Sequence, residues 1–471
     1  MSRNGSPPRR TFLLEFNELC PGLLADFMAQ GKLPNFRRLY DSSAIYTTDA
    51  DELAPHLEPW IQWATVHSGL TFTEHGAFHL GDGRKMEAKC VAELLSDAGI
   101  RVGVFGSMNT NYTSLNGYYV PDPWDVNGVP QPTWLEPFYR TVARQVQNSS
   151  NGGGIPKRDL LSFGTFIARH GLRPSTARSV VTQLLQEKLQ GGVSWRRASL
   201  LEQLQYDLFR YLDRRFEPQF ATFFCNSTAH YQHYYWRNMH PDIFDIPPDA
   251  EDHPSLRSAI EYGYVQMDRL IGQFLRDFPD VVLILCTALS QQPWTETTKC
   301  TFKPKDFTGF LRFAEIPAEH VTVRPVMAEE FSVEFRTAEE SSSAHRKLSE
   351  LSLDGQPLMR AELKGASIFA ACRINDARQK LGIIRRERDG VERPFADLFY
   401  MVHSVRSGRH HPAGVLWIRN GRHHVAVQDV PLTGIAPGIL EHFSVPVPAH
   451  MRGEPLHLEH IVRTPQPAVV G

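Results

Sequence analysis

The sequence predicts an α/β fold: a mostly parallel central sheet flanked by helices and interrupted by inserted cap segments. Three observations lead there. Short runs of apolar, β-branched or aromatic residues recur, as TFLLEF (11–16), VGVF (102–105), ATFFC (221–225), VVLILC (281–286) and VLWI (415–418). Each run is continuously apolar rather than alternating, which marks strands covered on both faces. Between them lie stretches with apolar residues at i, i+3, i+4 and i+7, and strand–helix alternation is the mark of a parallel sheet sandwiched by helices.

In chain order, the first run leads into the helical pattern PGLLADFMAQGKLPNFRRLY (21–40). CVAELLSDAGI (90–100) precedes the second run, and SLRSAIEYGYVQMDRLIGQFLRDF (255–278) precedes the fourth. Two stretches break the alternation. Residues 127–197 read as an irregular cap insertion, with a flexible NSSNGGG (148–154) and more Arg and Lys than Asp and Glu. Residues 303–394, with charge runs such as RRERDGVER (385–393), read as a smaller inserted α+β domain. The core then comprises 11–302 and 395–471, and residues 1–10 form a disordered tail.

The 471 residues, 42% hydrophobic and 22% charged, exclude collagenous, disulfide-scaffold and wholly disordered classes. With Lys+Arg 50 against Asp+Glu 52 the net charge is −2, so no global field draws nucleic acid or an anionic membrane. Cys20, Cys90, Cys225, Cys286, Cys300 and Cys372 are widely spaced without a CxxC pair. That pattern reads as reduced thiols in a cytoplasmic protein rather than a zinc ribbon. The polar first ten residues carry no secretory h-region, and VVLILCTAL (281–289) is half the ~18 apolar residues of a membrane span. No nucleic acid and no membrane is therefore expected as a partner, and self-association stays open.

In such sheets ligands gather at the carboxyl ends of the strands. TFLLEF runs into Asn17 and Glu18, so Glu15, Asn17 and Glu18 offer two carboxylates and an amide for a hard cation or a proton transfer; equally, they can pair with an Arg and cap the next helix. ATFFC runs into Asn226, His230 and His233. A helix there would set the two imidazoles on one face, within reach of one ion, or equally make an aromatic packing face. VVLILC opens into Ser290, Gln291 and Gln292, which can hydrogen-bond a substrate but cannot hold a divalent metal tightly. His410 and His411 stand beside Gly408 and Gly414 before VLWI, which predicts a built turn. Thr65, His67 and Ser68 superficially suggest a hydroxyl nucleophile with a base, but i,i+2 neighbours on a helix do not face each other.

Taken in order, these pieces resemble the alkaline-phosphatase superfamily, in its predicted phosphohydrolase/phosphomutase and type I phosphodiesterase/nucleotide-pyrophosphatase-like branch. The likeness rests on FLLEFNE (12–18), WATVHSGLTFTEHG (63–76), Asn226 to His230, GRHHPAG (408–414) and, most specifically, IAPGILEHFSVPVPAHMRGEPL (435–456). It covers both ends of the core but neither insertion. The resemblance implies an in-line phosphoryl or sulfuryl transfer between two metals. Carried over by position, the first metal's ligand set falls on Asn226, His230 and His410. The second metal's first ligand falls near Asn17, its Asp-His pair on Ala288 and Leu289, and the nucleophile on Pro59.

The second site is therefore expected to be missing, and Glu15, Glu18 and Glu58 to supply the negative charge that desolvating an ion requires. The reading is one divalent metal (Zn, Mn or Fe) bound by His230, His410, Asn226 and Asn17. Glu18, Glu58 and His233 are expected to act as catalytic groups in hydrolysis or group transfer, and Gln291, Trp60 and Asn109 to meet the substrate, which the resemblance implies is a phosphorylated or other anionic small molecule. A catalytically inactive binding or scaffold homologue, and a metal-free transferase or lyase, stay open beside it.

Overall fold

A computed structural model describes residues 8–125, 127–148, 157–325, 330–403 and 405–458. Residues 1–7 of the expected tail, nearly all of NSSNGGG and the chain beyond 458 lie outside them. Arg10 is not tail: its guanidinium donates to the Pro218 carbonyl at 2.9 Å and pairs with Asp213.

The apolar runs become strands because every residue of β1 (Thr11–Phe16), β5 (Phe220–Cys225) and β6 (Val282–Cys286) is buried. They join β2 (Ser43–Asp49), β3 (Val102–Phe105), β4 (Gly117–Val120), β9 (Ala413–Arg419), β10 (His424–Val425) and β11 (Val430–Pro431) in one nine-stranded sheet. Its order is β10-β2-β9-β6-β1-β5-β3-β4, with β11 beside β2. All pairings are parallel except those of β9, which runs antiparallel to β2 and β6. Along β1 the side chains alternate between two hydrophobic clusters, Phe12, Leu14 and Phe16 in one and Leu13 in the other, so helices must cover both faces. Outside this sheet, β7 (Ser290–Pro293) and β8 (Gly408–His411) form an antiparallel ribbon. His410 and His411 thus lie in a strand rather than the expected turn, because β8 uses its backbone to pair with β7.

The helical pattern over 21–40 is two helices, α1 (Pro21–Ala29) and α2 (Pro34–Tyr40). Gly31, at φ 72°, turns the chain in the left-handed region after α1, and Pro34 opens α2, whose first N–H needs no partner. Helix α3 (Pro59–Ser68) follows β2. The stretch expected to be irregular instead holds α4 (Glu136–Asn148), α5 (Lys157–Arg169) and α6 (Pro174–Gln190). Their apolar positions are diluted by Arg, Gln and Ser, which blurs the helical period in the sequence. Then come α7 (Arg197–Phe216), α8 (Ser227–Met239) and α9 (Ala259–Asp277).

A third cluster is built wholly from residues between Cys300 and Phe399. It sits among short antiparallel strands and is reached through a second ribbon, Thr301–Pro304 against Phe399–His403. Among the described residues no helix is long and apolar enough to cross a membrane, and all six cysteines are free.

Candidate metal centre

The register of the sheet aligns the ends of three strands, Glu15 opposite Phe224 and Cys286, and the ladder extends one step as Asn17 N–H donates to the Cys225 carbonyl at 2.9 Å. The chain then turns sharply at Glu18, whose φ of 62° is costly for a residue with a Cβ. The surroundings hold it there. Gln232 Nε2 donates to the Glu18 carbonyl at 2.6 Å, Tyr264 OH donates to Gln232 Oε1 at 2.8 Å, and Cys20 N–H donates to Tyr264 OH at 2.7 Å.

The second element is α8. Its first N–H groups would be orphaned in the core, and a carboxylate from α7 satisfies them. Glu202 Oε1 accepts from Asn226 N–H at 2.8 Å and Ser227 N–H at 2.7 Å, and Oε2 accepts from Ser227 Oγ at 2.6 Å. This anchor sets the rotational phase of the helix. The third element is the β7–β8 ribbon, in which His410 lies directly across from Gln291. The fourth is the start of α3, where Glu58, in extended conformation, follows Leu57 into the helix.

These elements converge on Glu18, His233 and His410, whose ligand atoms all lie within 4.8 Å of one another. Glu18 Oε2 is 3.3 Å from His233 Nε2 and 3.5 Å from His410 Nε2. Asn17 Nδ2 donates to Glu18 Oε1 at 2.9 Å and Gln291 Nε2 donates to Oε2, so both carboxylate oxygens are oriented. The His410 Nδ1 is 2.8 Å from the Leu57 carbonyl, which can only accept, so the ring proton resides on Nδ1 and the Nε2 lone pair faces Glu18. That Nε2 is buried without a hydrogen-bond partner. On His233 the order is reversed: the Arg406 guanidinium, a pure donor, faces Nδ1 at 3.5 Å, leaving the proton on Nε2 toward Glu18. The side chains of Glu18, His233 and His410 are 2%, 15% and 14% exposed, so the cluster is sheltered but not sealed.

Burial by itself would raise the Glu18 pKa, but the His410 and His233 charges, with hydrogen bonds from His233 and Gln291, outweigh it and bring the group to about 2. Burial lowers the His410 pKa, with Glu18 opposing. Both shifts favour an anionic carboxylate beside a neutral imidazole, the protonation states in which these groups bind metal ions. Glu58 stands at the edge with Oε2 3.5 Å from His410 Nδ1, and burial raises its pKa against the lowering effects of His410 and Arg406.

The other candidate residues divide. Asn17 and Asn226 lie beside the cluster but are engaged with each other, Asn17 Nδ2 to Asn226 Oδ1 at 2.8 Å, and Asn17 Oδ1 accepts from Trp63 Nε1 at 2.8 Å. Asn17 thus aims Glu18 instead of offering its own oxygen. His230 is outside the group: its ring packs against Tyr234 and Tyr235, and burial lowers its pKa to about 4. Gln291 donates to Glu18 while its Oε1 is buried without a partner. Asn109 is a loop staple, not a substrate contact: Oδ1 accepts from Gly81 and Gly83 N–H and Nδ2 donates to the Trp60 carbonyl. Trp60 Nε1 is taken by the Phe78 carbonyl at 2.9 Å.

Ala288 and Leu289 are fully buried, so the positions of the missing Asp-His pair are core. Thr65 carries no base. The His75 Nδ1 accepts from Ala77 N–H at 3.0 Å, so its Nε2 must donate to Thr65 Oγ1. Glu15 is separated from Glu18: it is fully buried, 3.0 Å from Ser107 Oγ and 3.4 Å from His67 Nε2. The sequence reading passed over Arg406, although a cation four residues before a His pair is a visible signal for an anion site.

Close approach at this centre depends on Gly408, where a Cβ would lie 2.4 Å from the Gln232 carbonyl oxygen and 2.3 Å from Gln291 Oε1. Gly408→Ala is expected to destabilise the fold by about 1–3 kcal/mol in urea unfolding and to weaken metal retention, because Gln291 must leave Glu18. An unchanged midpoint and an unchanged metal content would contradict this packing.

No family model matches the sequence, and no curated protein matches it. Solved structures do. A murine ectonucleotide pyrophosphatase/phosphodiesterase 5 is similar over 93% of this chain and 96% of its own, at 10% identity and a TM-score of 0.39. A phosphonoacetate hydrolase from Sinorhizobium meliloti is similar over 93% and 96%, at 10% identity and 0.41. The wild-type alkaline phosphatase PafA is similar over 96% and 98%, at 11% identity and 0.44. At these identities and TM-scores the chemistry has to come from this chain's own side chains.

Proposed function

We propose that the chain is a divergent alkaline-phosphatase-superfamily hydrolase that acts on a phosphorylated or otherwise anionic small molecule at a single-metal centre. Glu18, His410 and His233 would hold the ion, His233 through Nε2 once its ring proton has moved to Nδ1. One observation carries the reading: an anionic carboxylate and two imidazoles converge within 4.8 Å, and one imidazole lone pair is buried without a partner. When bound, a divalent ion such as Zn²⁺, Mn²⁺ or Fe²⁺ supplies Lewis acidity and a nucleophilic water at neutral pH.

The protein supplies the rest. Leu57 and Asn17 orient His410 and Glu18, as hydrogen-bond partners outside a metal site do. Arg406, beside His233, puts a cation at the rim for the substrate's anionic oxygens. Glu58 is 31% exposed and its pKa is raised from the ordinary carboxylate value, so it can exchange a proton with solvent and pass it to a leaving oxygen. With Pro59 at the nucleophile position and the Thr65 hydroxyl turned to His75, the attacking oxygen comes from water rather than a side chain.

The test is an assay of p-nitrophenyl phosphate, bis(p-nitrophenyl) phosphate and a phosphonate ester with chain dialysed into Zn²⁺ or Mn²⁺. Turnover of at least one is expected, abolished by chelator and restored by metal, with Glu58→Gln lowering kcat about a hundredfold at unchanged metal content. Tight binding of an anionic ligand with no turnover and no response to chelator would favour the binding-subunit reading instead.

A further inference from the structure

Away from the metal centre, α6, the turn Ser194–Arg196, α7 and α9 enclose a cavity of about 330 Å³, within the range of small-molecule sites. Its lining contains Arg178, Arg196 and Arg269 and no carboxylate. Three guanidinium groups facing one concavity repel each other, and proteins ordinarily relieve that with acidic neighbours. Here that relief is slight: Asp268, the residue before Arg269, feels its charge but spends its oxygens on Asn35 and the Phe36 N–H. Among the described residues none of the three has an ion-pair partner. The nearest acid on α6, Glu187, is committed to Arg197.

Two of the three arginines are also held in place. Arg196 lies over the rings of Trp195 and Tyr262 at 5.1 and 5.3 Å, and its Nη1 donates to Gln186 Oε1 at 3.3 Å while its Nε is buried with no partner. Arg269 Nη1 shares Gln266 Oε1 with Gln203 Nε2, at 3.4 and 3.1 Å. Stacking leaves the edge of a guanidinium free, and the edge is what grips oxyanions in pairs.

We propose that this cavity binds a compact polyanion, a diphosphate or triphosphate group, at a site separate from the Glu18–His233–His410 centre. Phosphate chemistry fits better than a lone carboxylate, because three forks from three segments surround the space and each can take two oxygens. A diphosphate brings the multiple charges that offset three cations, and the amides of Gln186, Gln203 and Gln266 complete a lining of hydrogen-bonding groups. The same group could arrive free or as the end of a nucleotide. None of the residues of the metal centre lines the cavity, so this inference stands or falls independently of the proposed hydrolase activity.

The test is calorimetric titration of the full chain in chelator with inorganic pyrophosphate, inorganic tripolyphosphate, ADP and citrate. Pyrophosphate and tripolyphosphate are expected to bind with an affinity that falls as salt rises. Arg178→Gln and Arg269→Gln, both on exposed side chains, are each expected to weaken binding about tenfold, and Glu18→Gln to leave it unchanged. Equal affinity for ADP and pyrophosphate identifies the free anion as sufficient, and much tighter ADP binding identifies a nucleotide; either supports the site. Absence of pyrophosphate binding at millimolar concentration overturns the proposal, as does preference for citrate or indifference to both arginine substitutions. Loss of binding in Glu18→Gln would move the anion to the metal centre and overturn it too.

Discussion

After dialysis against Zn²⁺ or Mn²⁺, the wild-type chain is expected to retain about one equivalent of metal by elemental analysis, and Glu18→Gln, His233→Ala and His410→Ala each less than about a tenth. Glu18→Gln is the sharpest of the three. It keeps shape and hydrogen bonding to Asn17 but removes the one negative charge that a buried dication needs, and no other carboxylate is in the group. Turnover should fall at least a hundredfold in the same variants. Added metal should stabilise the wild type by about 3 kcal/mol at a hundredfold excess over Kd and leave the variants unmoved. If all three variants keep the wild-type metal content, the centre does not exist.

The second large effect lies below the centre. His67 and Glu15 approach to 3.4 Å, which looks like an ion pair, but His67 Nε2 and Nδ1 both lack a hydrogen-bond partner. Burial drives both groups to their neutral forms: the His67 pKa falls from 6.5 to about 4, and that of Glu15 rises well above the ordinary carboxylate value. The neutral reading is the sounder one, since nothing nearby repays charging either group in the core. The sign follows. A depressed His67 means that the unfolded chain takes up a proton first as pH falls, so its stability is present above pH 6.5 and is lost between there and about 4. The loss is about 3 kcal/mol between pH 7 and 4. His67→Gln should remove that part of the acid slope in urea unfolding, leaving the opposite slope of Glu15, whose raised pKa costs stability as pH climbs above the ordinary carboxylate value. Identical pH profiles for the two proteins would show that folding leaves the His67 pKa unshifted.

The strands of the central sheet were legible because burial on both faces demands unbroken apolar runs, and the ligand-bearing ends follow from the parallel arrangement. Glu18 and His410 are visible as acid and imidazole at such ends. Which imidazole of α8 joins them is not, because His230 and His233 differ only in helical phase. That phase is set by Glu202, twenty-four residues before Asn226 in sequence. The left-handed turn at Glu18 was equally hidden, since its support comes from Gln232 and Tyr264. Asn109 misleads for a related reason: a polar residue in a loop looks like a contact for ligand until its amide is seen to be spent on backbone groups.

The strands that bring Gln291 and His410 face to face are also the two roots from which the small Cys300–Phe399 unit grows, one leaving toward it and the other returning. Both connections to that unit therefore leave from one end of the β7–β8 ribbon, where Pro293 pairs with Gly408. Whatever fixes the spacing of those two roots also fixes the pairing that sets His410 opposite Gln291.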